Sequence, residues 1–173
     1  MSKVLVTLDF DGVVSPIDHD RDFETDDSFE TFKLGMFNCS ISKTTLEFVR
    51  YLKELSDHYP ERIVLRWATS WVESTKSFEE RSGGAIPDFP YLPIPESKAR
   101  SVADEVIAQD ASIALVFEDS FMAQERLLTL WEEDPRLAER TLIPFEPKLE
   151  EGILPSHILA AKSIIAFELG KKN

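Results

Sequence analysis

The chain's 173 residues suffice for one domain with a full core and leave no room for two comfortable ones. Against 19 Lys and Arg stand 32 Asp and Glu, a net charge of −13 that opposes extended nucleic-acid contact but still allows a local basic pocket around one phosphate. Cys39 is the only cysteine, which excludes an internal disulfide and a cysteine-built zinc site and favours a reducing, cytoplasmic setting.

Val4-Leu5-Val6-Thr7-Leu8 is apolar or β-branched throughout and reads as a short buried strand. Asp9 and Asp11 follow, and Gly12 lets the backbone turn sharply just beyond them. Acids crowded at the end of a buried strand repel one another, so such a pair persists where a cation binds it or where one member stays protonated. Residues 15–40 are polar and acidic, with Asp18, Asp20, Asp22, Asp26 and Asp27 close together, and they read as a long excursion carrying a hairpin around Phe32–Ile41. The acidic cluster lacks the glycine and closing glutamate of a calcium loop. Ser42 or Thr44 caps a helix whose apolar side is Leu46, Val49, Leu52 and Leu55, and Pro60 stops it.

Ile63–Ala68 is the second predicted strand, ending at Thr69-Ser70-Trp71. The pattern then predicts a helix from about Trp71 to Arg81, ended by Gly83-Gly84. Pro87, Pro90, Pro93 and Pro95 make residues 85–95 a stiff extended loop, with a short strand near Tyr91–Ile94. Ser97 to about Ala108 is helical, and Ser112–Phe117 is a buried strand running into Glu118-Asp119. Phe121–Glu133 is an amphipathic helix, Thr141–Ile143 a last strand and Pro155–Leu169 a terminal helix. No apolar run is long enough for a membrane span, and a core strand begins almost at once, so neither a membrane segment nor a signal peptide is expected.

Near-continuous apolar strands alternating with amphipathic helices predict an α/β three-layer sandwich. Its mostly parallel, Rossmann-like sheet carries helices on both faces over residues 1–173, with a flap insertion at about 15–41. Ligands in such folds sit beyond the carboxyl ends of the strands. Three predicted strands end there in functional groups: Asp9 and Asp11, Thr69 and Ser70, Glu118 and Asp119. Their convergence is the strongest functional signal in the chain.

Asp9-Phe10-Asp11-Gly12-Val13, the hydroxyl of Thr69, Lys98 and Glu118-Asp119 together resemble, in this order, the four motifs of the haloacid dehalogenase-like (HAD) superfamily, over about residues 3–145. Trp67-Ala68-Thr69-Ser70-Trp71, with Ile143-Pro144 and Gly152–Ile158, is similar to a narrower group, the small HAD domains named for the Swiss-army-knife RNA repair proteins. Members of that group often carry two aspartates where this chain has Glu118-Asp119, which leaves open which acid binds metal directly.

The resemblance implies a HAD-like fold and a Mg²⁺-dependent phosphatase that hydrolyses a phosphomonoester through an aspartyl-phosphate on Asp9. Asp9 and Asp119 would be side-chain metal ligands, with the Asp11 carbonyl as a third and Glu118 behind them or bound through water. The Asp11 side chain would protonate the leaving oxygen and then activate water. Thr69, or Ser70 in its place, would hydrogen-bond a phosphoryl oxygen. Lys98 would offset the charge shared by Asp9 and the transferring group, a role for which Lys76 and Arg100 compete.

Other side chains have plainer readings. Arg66 lies in an apolar strand and either snorkels to the rim or forms a salt bridge; Trp67 and Trp71 are core and rim packing. His19, His58 and His157 have no partner at ligand spacing, and Cys39 packs. No interval has room for a large cap domain, so the site should be rather open, which suits phosphate on a bulky carrier such as a protein or a nucleic-acid end; a nucleotide or other small molecule remains a candidate substrate. A membrane partner is not expected. Phe29, Phe32, Leu34, Met36 and Phe37 should form a flap over the mouth of the site, with the aspartate-rich stretch before them mobile. A signalling receiver domain would place its acceptor on the third strand, and a dehalogenase would not need Asp11. The remaining rival is a catalytically inactive HAD-fold protein that binds or regulates.

Overall fold

β1 (Val4–Leu8) lies inside the sheet and is buried along its whole length, as its unbroken apolar run requires. The computed structural model describes residues 2–171. After β1 the chain forms an antiparallel hairpin of β2 (Phe29–Leu34) and β3 (Phe37–Ser42), paired from Phe29↔Ser42 to Leu34↔Phe37. Then follow α1 (Lys43–His58), β4 (Ile63–Trp67), the one-turn α2 (Phe78–Arg81) and α3 (Lys98–Ala108). β5 (Ile113–Phe117), α4 (Phe121–Glu133), β6 (Thr141–Phe145) and α5 (Pro155–Gly170) complete the order. The main sheet runs β4-β1-β5-β6 with every neighbouring pair parallel.

The two-residue period of the strands divides the core into two. Val4, Val6 and Leu8 face one way with Ile63, Leu65 and Trp67, against Leu46, Phe48, Val49 and Leu52 of α1 and Ile158, Ala161 and Ile165 of α5. Leu5, Val64, Ala114 and Val116 face the other way, against Ala99, Val102, Ala103 and Val106 of α3 and Leu127 of α4. This is the expected three-layer α/β sandwich with helices on both faces of a parallel sheet. Serines start three of the helices. The Oγ atoms of Ser42, Ser97 and Ser120 accept from the backbone N–H of Thr45, Arg100 and Ala123 at 3.1, 3.2 and 3.4 Å.

Three segments differ from the sequence reading. Val72–Ser77 is 3-10 helix, and only Phe78–Arg81 is α-helical. Thr75 Oγ1 donates to the Val72 carbonyl at 2.7 Å and Ser77 Oγ to that of Ser74 at 3.0 Å, so hydroxyls three residues on tighten the turns. The proline-rich loop contributes one bridge, Tyr91 to Trp67, instead of a strand. β6 runs on through Pro144 to Phe145, which an edge strand tolerates because one side of its backbone needs no partner.

The hairpin roots itself through Leu34, Cys39 and Ile41 in the larger core, while Met36 and Phe37 at its turn are 90% and 58% exposed. The acidic stretch before it carries contacts of its own: Phe23 lies 4.9 Å from Phe29, with the Arg21 guanidinium over both rings. Among the described residues no helix is long and apolar enough to cross a membrane.

Candidate active site

The register aligns Leu8 with Trp67 on one side and with Phe117 on the other, so β1, β4 and β5 end at one height. The chain passes from β1 out to β4 and later returns to β5 on the opposite side. The crevice between the ends of β1 and β5 is therefore the switch point at which open parallel sheets bind ligands. Asp9 and Glu118 are the first residues beyond those two strands. The Asp9 N–H still bonds the Phe117 carbonyl at 3.1 Å, and the Glu118 N–H bonds that of Phe145 at 3.2 Å.

Both acids are buried, and Lys98 lies between them. Its ammonium donates to Asp9 Oδ2 and, at 2.8 Å, to Glu118 Oε2. Asp9 Oδ1 accepts from the Phe10 N–H at 2.7 Å, and Glu118 Oε1 from the Ser120 N–H at 3.0 Å. The amide of buried Gln124 donates to the Glu118 carbonyl. Lys98 opens α3, where the helix dipole disfavours a cation, so its place there depends on the two carboxylates it meets. The competing cations are engaged elsewhere: Lys76 lies over the Tyr91 ring at 5.4 Å, and Arg100 pairs with Asp104 at 2.9 Å.

Asp119 completes the cluster, with one oxygen each from Asp9, Glu118 and Asp119 within 4.8 Å of one another. Burial, and then the charge of Asp9, pushes the Glu118 carboxyl up to about 7 and raises that of Asp119. Burial disfavours the charged Lys98 ammonium, but the charges of Asp9 and Glu118 outweigh it and leave the group above its ordinary value. One ammonium against three carboxylates leaves an excess of negative charge in a low-dielectric crevice. This all-oxygen, anionic donor set fits a hard divalent cation such as Mg²⁺. Asp9, Asp119 and Glu118 are the residues that would hold it.

Gly12 explains how Asp119 comes so close. Its φ is +72°, and a Cβ there would stand 2.2 Å from Asp119 Oδ2. Only glycine admits both this backbone and this approach.

Asp11 lies on the hairpin side, half-buried, and accepts at Oδ2 from the indole N–H of Trp71 at 2.9 Å. Sequence reasoning missed that bond, because a tryptophan after a strand carries no mark separating a donor from packing. Thr69 is fully buried; its Oγ1 accepts from the Trp71 N–H at 3.4 Å and so serves its own turn. Ser70 is exposed and lines, with Asp11, Trp71, Phe37, Met36 and Arg81, a cleft of about 880 Å³ between the hairpin and the strand ends. Thus Asp9, Lys98, Glu118 and Asp119 meet at one point, while Asp11 and Ser70 open onto the adjoining cleft. Three other residues singled out in the sequence have partners outside this cluster. Arg66 pairs with Glu105 at 2.8 Å, Trp67 is buried against Phe89, and His157 Nδ1 accepts from the Leu154 N–H at 3.3 Å.

No family model matches the chain, and no curated protein matches it in sequence. Among solved structures, the HAD domain of the effector protein Lem4 from Legionella pneumophila superposes with a TM-score of 0.53, covering 95% of this chain and 95% of that one at 14% identity. An inactive mutant of the same Lem4 domain gives 0.49 over 99% and 100%, also at 14% identity. The first of these likenesses shows that the chain has the HAD-like fold expected from its motifs.

Proposed function

We propose that this HAD-fold protein is a Mg²⁺-dependent phosphohydrolase that cleaves a phosphomonoester through an aspartyl-phosphate on Asp9. The observation that carries the reading is the position of Asp9. It is a buried carboxylate at the switch point, paired with Lys98 and within metal-sharing distance of Glu118 and Asp119. Buried, mutually repelling acids cost stability without a function to retain them, and phosphoryl transfer needs this combination of nucleophile and neutralising charge.

In the first step an Asp9 carboxylate oxygen bonds phosphorus while the bond from phosphorus to the ester oxygen breaks. The Asp11 carboxyl gives its proton to that departing oxygen. In the second step a water oxygen bonds phosphorus, its proton goes to the Asp11 carboxylate, and the bond between Asp9 and phosphorus breaks to release phosphate. Lys98 carries positive charge to Asp9 throughout. Ser70, exposed at the end of β4, is the hydroxyl best able to bond a phosphoryl oxygen, ahead of the inward-turned Thr69. A bound Mg²⁺ would supply the remaining neutralisation between the three carboxylates and the phosphoryl oxygens.

The open cleft admits a small phosphomonoester, a nucleotide or a phosphorylated nucleic-acid end, each of which belongs in a substrate panel. Release of phosphate from para-nitrophenyl phosphate, with and without Mg²⁺, tests the chemistry. Turnover should require the metal, and Asp9→Asn should lower it by at least about 1000-fold with the fold intact. Wild-type turnover in Asp9→Asn would refute the covalent route, and an inert wild-type protein would favour the binding or regulatory reading.

A further inference from the structure

Asp11 has one of its two oxygens already committed. The Trp71 indole N–H donates to Oδ2 at 2.9 Å from 60 residues along the chain. Trp71 itself is held from two sides. Phe10 and Phe78 meet its ring edge-on at 5.5 Å each from the core, and Phe37 meets it at 5.6 Å from the hairpin turn. The hairpin is also tied to the loop that carries Asp11: Ser15 Oγ donates to the Ser40 carbonyl at 3.2 Å, and the Gly12 N–H to that of Ser15 at 2.8 Å.

We propose that Trp71 is a positioning residue for Asp11, and that Phe37 links this positioning to the hairpin. An N–H donor on Oδ2 reserves that oxygen as an acceptor, so the proton of the acid form resides on Oδ1. Oδ1 is then the atom that passes its proton to the departing ester oxygen and later takes one from water. The indole fixes which oxygen works and where it points, a task that the packing of a phenylalanine at position 71 could not perform. This inference rests on the phosphohydrolase reading above.

The two kinds of leaving group separate positioning from packing. A nitrophenolate leaves almost without protonation, whereas an alkoxide requires the proton, so a misplaced acid penalises alkyl esters selectively. The measurement is the ratio of kcat/KM for glycerol phosphate to that for para-nitrophenyl phosphate. Trp71→Phe keeps an aromatic ring beside Phe10, Phe78 and Phe37 and removes the N–H together with part of the indole's bulk. It should lower the ratio about tenfold, the scale of a lost hydrogen bond to a charged group. Phe37→Ser, at an exposed position, should lower it in the same direction by a smaller factor. A general loss of folded protein depresses both substrates alike and leaves the ratio unmoved. Should Trp71→Phe not fold, Phe37→Ser decides alone. An unchanged ratio in an enzyme that still needs Asp9 overturns the role of Trp71, while turnover independent of Asp9 overturns the reading beneath it.

Discussion

On the α3 and β5 side of Asp9, three carboxylates and one ammonium are crowded into one crevice, with Asp9, Lys98 and Glu118 each held by a neighbouring backbone or side-chain bond. On the hairpin side, Asp11 bonds a half-buried indole that packs against an exposed phenylalanine beside an open cleft. The first region is charged and mostly buried, the second aromatic and only partly covered. The contrast assigns them different work. In the proposed reaction, charge neutralisation falls to the buried, charged side, and proton delivery and fit to the leaving group fall to the open, aromatic side.

The sharpest way to break this contrast is to remove the cation from the charged side. Lys98→Met leaves Asp9 and Glu118 buried without their partner. Its kcat/KM should fall about 100- to 1000-fold for aryl and alkyl phosphates alike, as expected for loss of charge stabilisation. A loss confined to one class of leaving group would erase the distinction between the two sides.

Gly12→Ala tests how tightly that side is built. Its Cβ would meet Asp119 at a backbone angle that alanine disfavours, so the native state should lose about 3 kcal/mol and Mg²⁺ should bind more weakly. Denaturant melts with and without the metal read both effects.

The crowding should also appear as a pH dependence in protein stripped of metal by a chelator. Glu118 titrates at about 7 in the folded state against 4.5 ordinarily, so the folded protein holds that proton longer than the unfolded chain does. The stability this group contributes is present below about pH 4.5 and is lost as pH rises through about 7. Asp119 acts in the same direction. Denaturant midpoints measured across this window should fall with pH in wild type, and Glu118→Gln should flatten the slope.

The smallest effect concerns the aromatic side. Replacing residues 20–27 by a short Gly-Ser link removes Phe23 from the cleft wall, and with it the Phe23 and Arg21 contacts to Phe29 of β2, while leaving Asp9, Asp11, Glu118 and Asp119 in the chain. Ratios of kcat/KM across a substrate panel should move a few-fold, with Mg²⁺ affinity unchanged. Unmoved ratios would make this stretch an ornament.

The two sides also differ in how legible they are in the sequence. β1, α1 and α4 follow directly from apolar periodicity and serine caps, and the acids at the strand ends follow from strand boundaries. Asp9, Asp11, Glu118 and Asp119 are thus readable from local pattern alone. Lys98 is harder, because three cations lie at plausible places and only the start of α3 aims one at the crevice. Trp71 is not readable at all: its bond to Asp11 depends on the 3-10 turns after β4, where Thr75 and Ser77 hydroxyls override a helical pattern. The proposed use of Ser70 in place of Thr69 has the same origin, since that turn buries one hydroxyl and exposes the other.

The covalent phosphoryl-enzyme is the most direct test of the central claim. Wild-type protein turning over para-nitrophenyl phosphate with Mg²⁺ would be quenched and reduced with borohydride, which converts an aspartyl-phosphate to homoserine. Peptide mass spectrometry should find homoserine at position 9, dependent on substrate and absent from Asp9→Asn. An unmodified Asp9 in protein that is demonstrably turning over, or the label on any other residue, would contradict the account.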